Sequence, residues 1–304
     1  MAFLEKGPFP QVIGHRGFKA AYPENSIAAF RGAIDVGANA IETDLRLSKD
    51  GVVVLSHDAT LRRCFGDHRK VAECEWSELS MLRSLREPKQ RICRLVELLE
   101  YVTQPGLEHI WLLLDIKRDD TAEELLLSLS TAFAQVPSPL RPWEQRVVLA
   151  VWDASWLAAC LRHLPGFPLT LTTPSPAYAS AMLPVPGLHM SLLNYSFCTR
   201  RGADVRAEAR RRGRKLFSWT DTAPEWMALS VKNEVDGVIT DDPERFIRLC
   251  SQWDNEAIRR QAGEWTIWEA MFWLGINANV WITETVSHFT GSSPQARATQ
   301  MLGI

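Results

Sequence analysis

Nearly continuous apolar runs alternate with segments of helical periodicity along most of the chain. Runs such as QVIG, IWLLLDIK and RVVLAVW are apolar along nearly their whole length, which is typical of parallel strands covered by helices. About eight strand–helix units fill residues 10–250, the length of one (β/α)8 barrel. We therefore predict an α/β fold, a single TIM barrel over residues 1–250. The alternative, an open doubly wound sheet, is disfavoured because no GxGxxG follows the first strand.

The first third of the chain gives the clearest element boundaries. The segment SIAAFRGAIDVG predicts a helix that begins near Ser26 and ends at Gly37. Two strands are predicted next, AIETDLRL at 40–47 and VVVLSHD at 52–58.

Residues 251–304 break the strand–helix pattern and are predicted to form a separate tail. Its segment 265–286 holds four of the twelve tryptophans and is long enough to cross a bilayer. Polar residues interrupt the segment, and tryptophan favours the membrane interface. We expect a helix that lies on a membrane surface. A spanning anchor and a helix packed on the barrel or on a dimer partner are the alternatives.

Composition narrows the class of protein. The net charge of −2 gives no general attraction to nucleic acid, and the basic segment RAEARRRGRK is interpreted as a solvated helix face. Six cysteines without CxxC spacing argue against a zinc site and suit a reducing compartment. No apolar segment of signal-peptide type is found near residue 1. We expect an intracellular protein at the cytoplasmic side of an organelle membrane or lipid surface, of undetermined oligomeric state.

The predicted strands end in residues that carry chemistry. In a (β/α)8 barrel the active site is built at the carboxyl ends of the strands. Each such residue alone has an ordinary structural explanation, but together they favour a site. These residues are His15, Arg16, Glu42, Asp44, His57, Asp58, Asp115, Lys117, Trp219, Asp241 and Asp242.

The acidic residues among them predict a metal site. Glu42 and Asp44 are two residues apart on one strand, so their carboxylates share one side. With Asp115 at the same mouth, three carboxylates would repel one another unless a cation lies between them. Oxygen ligands suit Mg²⁺ or Ca²⁺ rather than zinc.

The basic residues supply the proton-transfer groups and the positive charge that phosphate-ester cleavage requires. His15 and His57 can act as general acid and base near neutral pH, in either assignment. Arg16 and Lys117 supply positive charge for a phosphate. The combination predicts metal-dependent phosphodiester chemistry.

Four stretches in this order resemble the glycerophosphodiester phosphodiesterase family: GHRGFKAAYPENSIAAF, AIETDLRLSKDGVVVLSHDATLRR, LLLDIK and VDGVITDDPE. Within that family the chain looks most similar to fungal-type phosphatidylglycerol-specific phospholipases C, because of LRRCFGD, GLEHIWLLLDIKRDD and the Trp-rich tail. Two departures stand out. The third carboxylate is Asp115, where the family commonly has Glu. Thr-Asp-Thr follows Trp219 and departs from the family pattern, so no substrate contact near Asp221 is inferred from the family.

The resemblance implies residue roles and a reaction. It implies that the attacking group can be the neighbouring glycerol hydroxyl, with a cyclic phosphate as intermediate. We expect cleavage of phosphatidylglycerol to diacylglycerol and glycerol phosphate. The alternatives are cleavage of soluble or lyso glycerophosphodiesters to glycerol 3-phosphate and an alcohol, and a catalytically silent lipid-binding barrel. The implied roles are His15 and His57 as catalytic pair, Glu42, Asp44 and Asp115 as metal ligands, and Arg16 and Lys117 as phosphate contacts. From its place at a strand end we also expect Trp219 to contact the substrate, and we expect Glu24 and Asn25 to support the first loop.

Overall fold

The computed structural model describes residues 7–253 and confirms the predicted TIM barrel. Eight parallel strands form a closed ring, because the first strand pairs with both the second and the last. In ring order the strands are β1 (Gln11–His15), β2 (Ala40–Leu47), β5 (Trp111–Ile116), β6 (Val147–Val151), β7 (Leu169–Thr173), β8 (His189–Leu193), β9 (Leu216–Trp219) and β10 (Gly237–Thr240).

Helices follow the barrel strands and cover the outside of the ring. Residues of the strands that point outward pack against them in one large apolar cluster. The helices are α1 (Ile27–Asp35), α2 (Arg62–Phe65), α3 (Trp76–Leu79), α4 (Leu95–Val102), α5 (Ala122–Gln135), α6 (Ala154–His163), α7 (Pro176–Met182), α8 (Arg200–Arg211), α9 (Pro224–Lys232) and α10 (Pro243–Ser251).

The strand predicted over VVVLSHD exists but is not a barrel strand. It is the short strand β3 (Val53–Leu55), antiparallel to the end of β2 and paired on its other side with β4 (Cys93–Arg94). An apolar run does not encode strand direction, so the sequence could not separate the two cases. Because β3 runs back toward the barrel, it returns the chain to the mouth, where Ser56 N–H donates to the Asp44 carbonyl (3.0 Å).

The end of β1 and the loop after it are tightly packed, and each contains a glycine that is required. Gly17 has a φ of +83°, and a Cβ there would lie 2.6 Å from the backbone of Ala29. A Cβ on Gly14 would lie 3.0 Å from both the Ala33 side chain and the Gly17 carbonyl. Ser26 then caps α1 by accepting a hydrogen bond from the N–H of Ala29, as the sequence predicts. The loop is thereby fixed against the first helix.

The predicted membrane-associating helix at about 265–286 lies outside the described residues and stays a prediction. Among residues 7–253, no helix combines the length and apolarity needed to cross a bilayer.

Candidate active site

A cleft of about 120 Å³ opens at the carboxyl ends of the barrel strands. Its walls bring together every residue that the sequence predicted as catalytic, metal-binding or substrate-binding. Those residues are His15, Arg16, Glu42, Asp44, His57, Asp115, Lys117 and Trp219.

Strand register places the three carboxylates side by side. Asp44 of β2 is the direct partner of Asp115 on β5, and Glu42 is the partner of His15 on β1. All three carboxylates are buried, and one oxygen of each lies within 4.8 Å of the others. Burial and the charges of Asp44 and Asp115 raise the pKa of Glu42 well above its usual range. The positive charges of Arg16 and Lys117 oppose this rise in pKa without cancelling it.

Two cations lie against the triad without neutralising all of it. Lys117 Nζ contacts Asp44 (2.6 Å) and Asp115, and Arg16 Nε lies 3.2 Å from Asp44. Burial opposes ionisation of Asp44, but the charges of Lys117 and Arg16 outweigh it and hold the pKa of that carboxyl well below its usual range. Within residues 7–253, the hydrogen bond that Glu42 accepts comes from the backbone N–H of Arg16 (2.9 Å). Three clustered carboxylates against two cations form an oxygen donor set that fits a hard divalent cation.

Each cleft histidine is held by an aspartate. His15 Nδ1 lies 2.5 Å from Asp241 Oδ1, and His57 Nδ1 lies 2.8 Å from Asp58 Oδ1. Burial works against ionisation of Asp241, yet its bond to His15 brings the pKa of this carboxyl down to about 2. An ionised aspartate can only accept, so Nδ1 carries the proton and Nε2 is left for proton transfer. His15 Nε2 lies 4.0 Å from Glu42.

Arg63 links the second histidine to the first loop. Its Nε donates to Asp58 (2.6 Å), and its two terminal nitrogens donate to the two oxygens of Glu24 (2.7 and 2.8 Å). Glu24 in turn accepts from Arg16 (2.8 Å). The pKa of Glu24 is about 2, because these bonds to Arg63 and Arg16 outweigh the opposing effect of burial. Glu24 thus links the first loop to Arg63.

Asn25 contacts the carboxylate triad from the same loop. Its amide nitrogen donates to Asp44 (2.9 Å), and its oxygen accepts from the hydroxyl of Thr43 (2.7 Å). Asn25 and Arg16 both have positive φ, 54° and 56°, a conformation that these contacts must hold in place.

Trp152 was not among the predicted site residues, and Asp58 and Asp241 were predicted at strand ends without a role. Trp152 follows β6 directly, and its indole N–H donates to Asp115 (2.8 Å). Its ring meets that of Trp219 edge-on, with centroids 5.6 Å apart. The position of these three residues in the sequence could have indicated a role at the site, because each lies just after a strand.

Asp221 is a buried structural acid and does not line the cleft. Its carboxyl oxygens accept from Ser218 (3.0 Å) and Ser230 (2.6 Å). Burial raises its pKa to about 7, against the opposing hydrogen bonds. The carboxyl therefore stays protonated in the folded protein over a range in which the unfolded chain ionises.

Replacing Asp221 by asparagine should change the pH dependence of stability. Between about pH 4 and pH 7 the wild type loses stability as its unfolded chain releases this proton, and the variant does not. The free energy of unfolding of the variant relative to wild type should therefore rise from pH 4 to pH 8, by up to about 4 kcal/mol. Urea unfolding at both pH values measures this. A difference that is the same at both would contradict the assignment.

The barrel and its cleft define a class, the TIM-barrel phosphoric diester hydrolases. The chain belongs to the glycerophosphoryl diester phosphodiesterase family, whose model matches residues 15–245. It is 29% identical to a glycerophosphodiester phosphodiesterase of Caldanaerobacter subterraneus subsp. tengcongensis over 78% of this chain and 96% of that one.

Solved structures share the fold. A glycerophosphodiester phosphodiesterase from Thermotoga maritima is 28% identical, with a TM-score of 0.65 over 79% of this chain and 98% of that one. A phosphodiesterase from Oleispira antarctica, solved with the product sn-glycerol-3-phosphate, is 22% identical, with a TM-score of 0.67 over 79% of this chain and 96% of that one.

Proposed function

We propose that this protein is a glycerophosphodiester phosphodiesterase that releases glycerol 3-phosphate and an alcohol from soluble or lyso glycerophosphodiesters. The observation that carries the proposal is the pair of aspartate-held histidines facing one cleft with three carboxylates and two cations. The product bound to the Oleispira antarctica phosphodiesterase supports the glycerol phosphate part of the substrate.

Glu42, Asp44 and Asp115 are the residues that would hold the metal. A divalent cation bound there would stabilise the negative charge that develops on the phosphate. We propose Mg²⁺ or Ca²⁺, because the donors are carboxylate oxygens. Arg16 and Lys117 would orient the phosphate and share its charge.

The histidines would move the protons. One Nε2 takes the proton of the glycerol hydroxyl next to the phosphate, and that oxygen forms a bond to phosphorus. The bond from phosphorus to the leaving alcohol breaks, and the other histidine protonates the departing oxygen. Water then opens the cyclic phosphate with the two histidines in exchanged roles. Asp58 and Asp241 keep both rings in the tautomer that this requires.

Phosphatidylglycerol is the narrower substrate that the sequence suggested, with a cleavage of the phospholipase C type. That expectation depended on short motifs and on the tail, which lies outside the described residues. The relatives reported above are glycerophosphodiester phosphodiesterases, and the broader substrate class fits them better. Membrane attachment through the tail and a location at the cytoplasmic side of a membrane are kept as proposals.

A headgroup series tests the proposal. Glycerophosphocholine should be cleaved, whereas its 2-deoxy analogue, 3-hydroxypropyl phosphocholine, should be nearly inert because it lacks the attacking hydroxyl. Intramolecular attack can be worth effective molarities of about 10⁵ M or more, far beyond one hydrogen bond. Choline release over time measures both rates.

Phosphatidylglycerol vesicles form the third arm of the same assay. Faster cleavage of these vesicles than of glycerophosphocholine would favour phosphatidylglycerol as the substrate. Equal rates on glycerophosphocholine and its 2-deoxy analogue would show that water is the nucleophile. Failure to cleave any glycerol phosphodiester would overturn the proposal.

A further inference from the structure

One side of the barrel interior is polar. The apolar cluster inside the ring draws its members from β1, β2, β5, β6, β9 and β10. Among the described residues, β7 and β8 instead contribute Thr172 and Ser191, which pair in register and both line the cleft. Thr170 and His189 form the same pair one layer deeper and do not line it.

Besides Arg16 Nε, which lies against Asp44, two buried polar atoms of cleft residues lack a hydrogen-bond partner among residues 7–253. Ser191 is 1% exposed, and its Oγ makes no hydrogen bond. The indole N–H of Trp219, on the adjacent strand β9, is likewise buried and unpaired. Buried polar groups are nearly always satisfied, so two such atoms in one small cleft indicate a place for a polar ligand group.

Their position sets them across the barrel from the phosphate chemistry. In the ring order, β8 lies four strands away from β2, which carries Glu42 and Asp44, so the two strands face each other. The cleft between them holds only about 120 Å³. A small group that is attached to a phosphate on the β2 side and directed into the cleft would extend toward β8, with the rings of Trp152 and Trp219 beside it.

We infer that Ser191 Oγ, with the indole N–H of Trp219, binds the terminal hydroxyl of the substrate's glycerol. This contact sets specificity for glycerol over alcohols that lack the terminal hydroxyl. The inference rests on the proposed function. The glycerol carbons lie against the tryptophan rings and the apolar side of the barrel, and the terminal hydroxyl pairs with the two unsatisfied atoms. A substrate without that hydroxyl leaves both atoms buried and unpaired, which is the arrangement that discriminates strongly.

The test compares glycerophosphocholine with its 1-deoxy analogue, 2-hydroxypropyl phosphocholine. The analogue keeps the hydroxyl next to the phosphate and the same leaving group, and it lacks only the terminal hydroxyl. Wild-type kcat/KM should be lower on the analogue by about tenfold or more, the scale of a lost buried hydrogen bond. Ser191→Ala should lose activity on glycerophosphocholine and little on the analogue, so that most of the discrimination is lost.

Thr170→Val is the matched control. It removes a buried hydroxyl that is also unpaired among the described residues, from the neighbouring strand, and this hydroxyl does not line the cleft. Its discrimination between the two substrates should equal that of wild type. The inference is overturned if Ser191→Ala keeps the wild-type ratio, or if wild type does not discriminate while cleaving both substrates. Failure to cleave either substrate would instead count against the proposed function.

Discussion

Glu42→Gln should abolish divalent-cation binding and lower turnover by about 10³-fold. A bound cation supplies several kcal/mol of charge stabilisation, and each 1.36 kcal/mol is worth a factor of ten in rate. Glutamine keeps the length of the side chain and an oxygen that can accept from the N–H of Arg16, as Glu42 does. Titration of the metal-free protein with Mn²⁺, followed by electron paramagnetic resonance, measures binding separately from activity.

Asp221→Asn is the control for this experiment, because it replaces another fully buried carboxyl, one outside the triad, by the corresponding amide. This variant should bind Mn²⁺ and turn over like wild type. Undiminished Mn²⁺ binding by Glu42→Gln would remove Glu42 from the metal site. Full activity of wild type that has been shown to be metal-free would remove the metal from the reaction.

The second large effect is expected at the two histidines. His15→Ala and His57→Ala should each lower kcat by about 10² to 10⁴, the usual contribution of general acid–base catalysis. Affinity for glycerol 3-phosphate should change much less, because phosphate contacts are assigned to Arg16 and Lys117. Single-turnover rates and product binding by calorimetry separate the two quantities.

A substrate with a good leaving group can assign acid and base. With glycerophospho-4-nitrophenol, the variant that lacks the general acid should recover much of its rate, since nitrophenolate departs without protonation. The variant that lacks the general base should not recover. A variant that keeps a near-normal rate on glycerophosphocholine would show that its histidine is structural.

The sequence was sufficient to predict the barrel, because the pattern that indicates each strand is local. Most of the barrel strands are largely apolar, and such runs in alternation with helical segments predicted about eight strand–helix units. The direction of β3 was not predictable in this way, since it depends on pairing with Leu45 and its neighbours rather than on composition. His57 therefore reaches the cleft by a route that differs from the predicted one.

The cleft residues were predictable because strand ends converge in this fold, whereas their partners depend on contacts between distant segments. Asp241 meets His15 across 226 positions of the chain, and Arg63 meets Glu24 across 39. The role of Ser191 was not predictable from the sequence for another reason. A serine within an apolar strand has no marked pattern, and only its unpaired position inside the barrel distinguishes it.

The most direct test of the central claim is the identity of the products from glycerophosphocholine, followed by ³¹P nuclear magnetic resonance with purified protein. With Mg²⁺ or Ca²⁺ present, we expect the substrate signal to be replaced by that of glycerol 3-phosphate, and we expect no conversion after the metal has been removed. Formation of phosphocholine instead would mean that the other ester bond is cut. That result, or conversion that is equally fast without metal, would contradict the account.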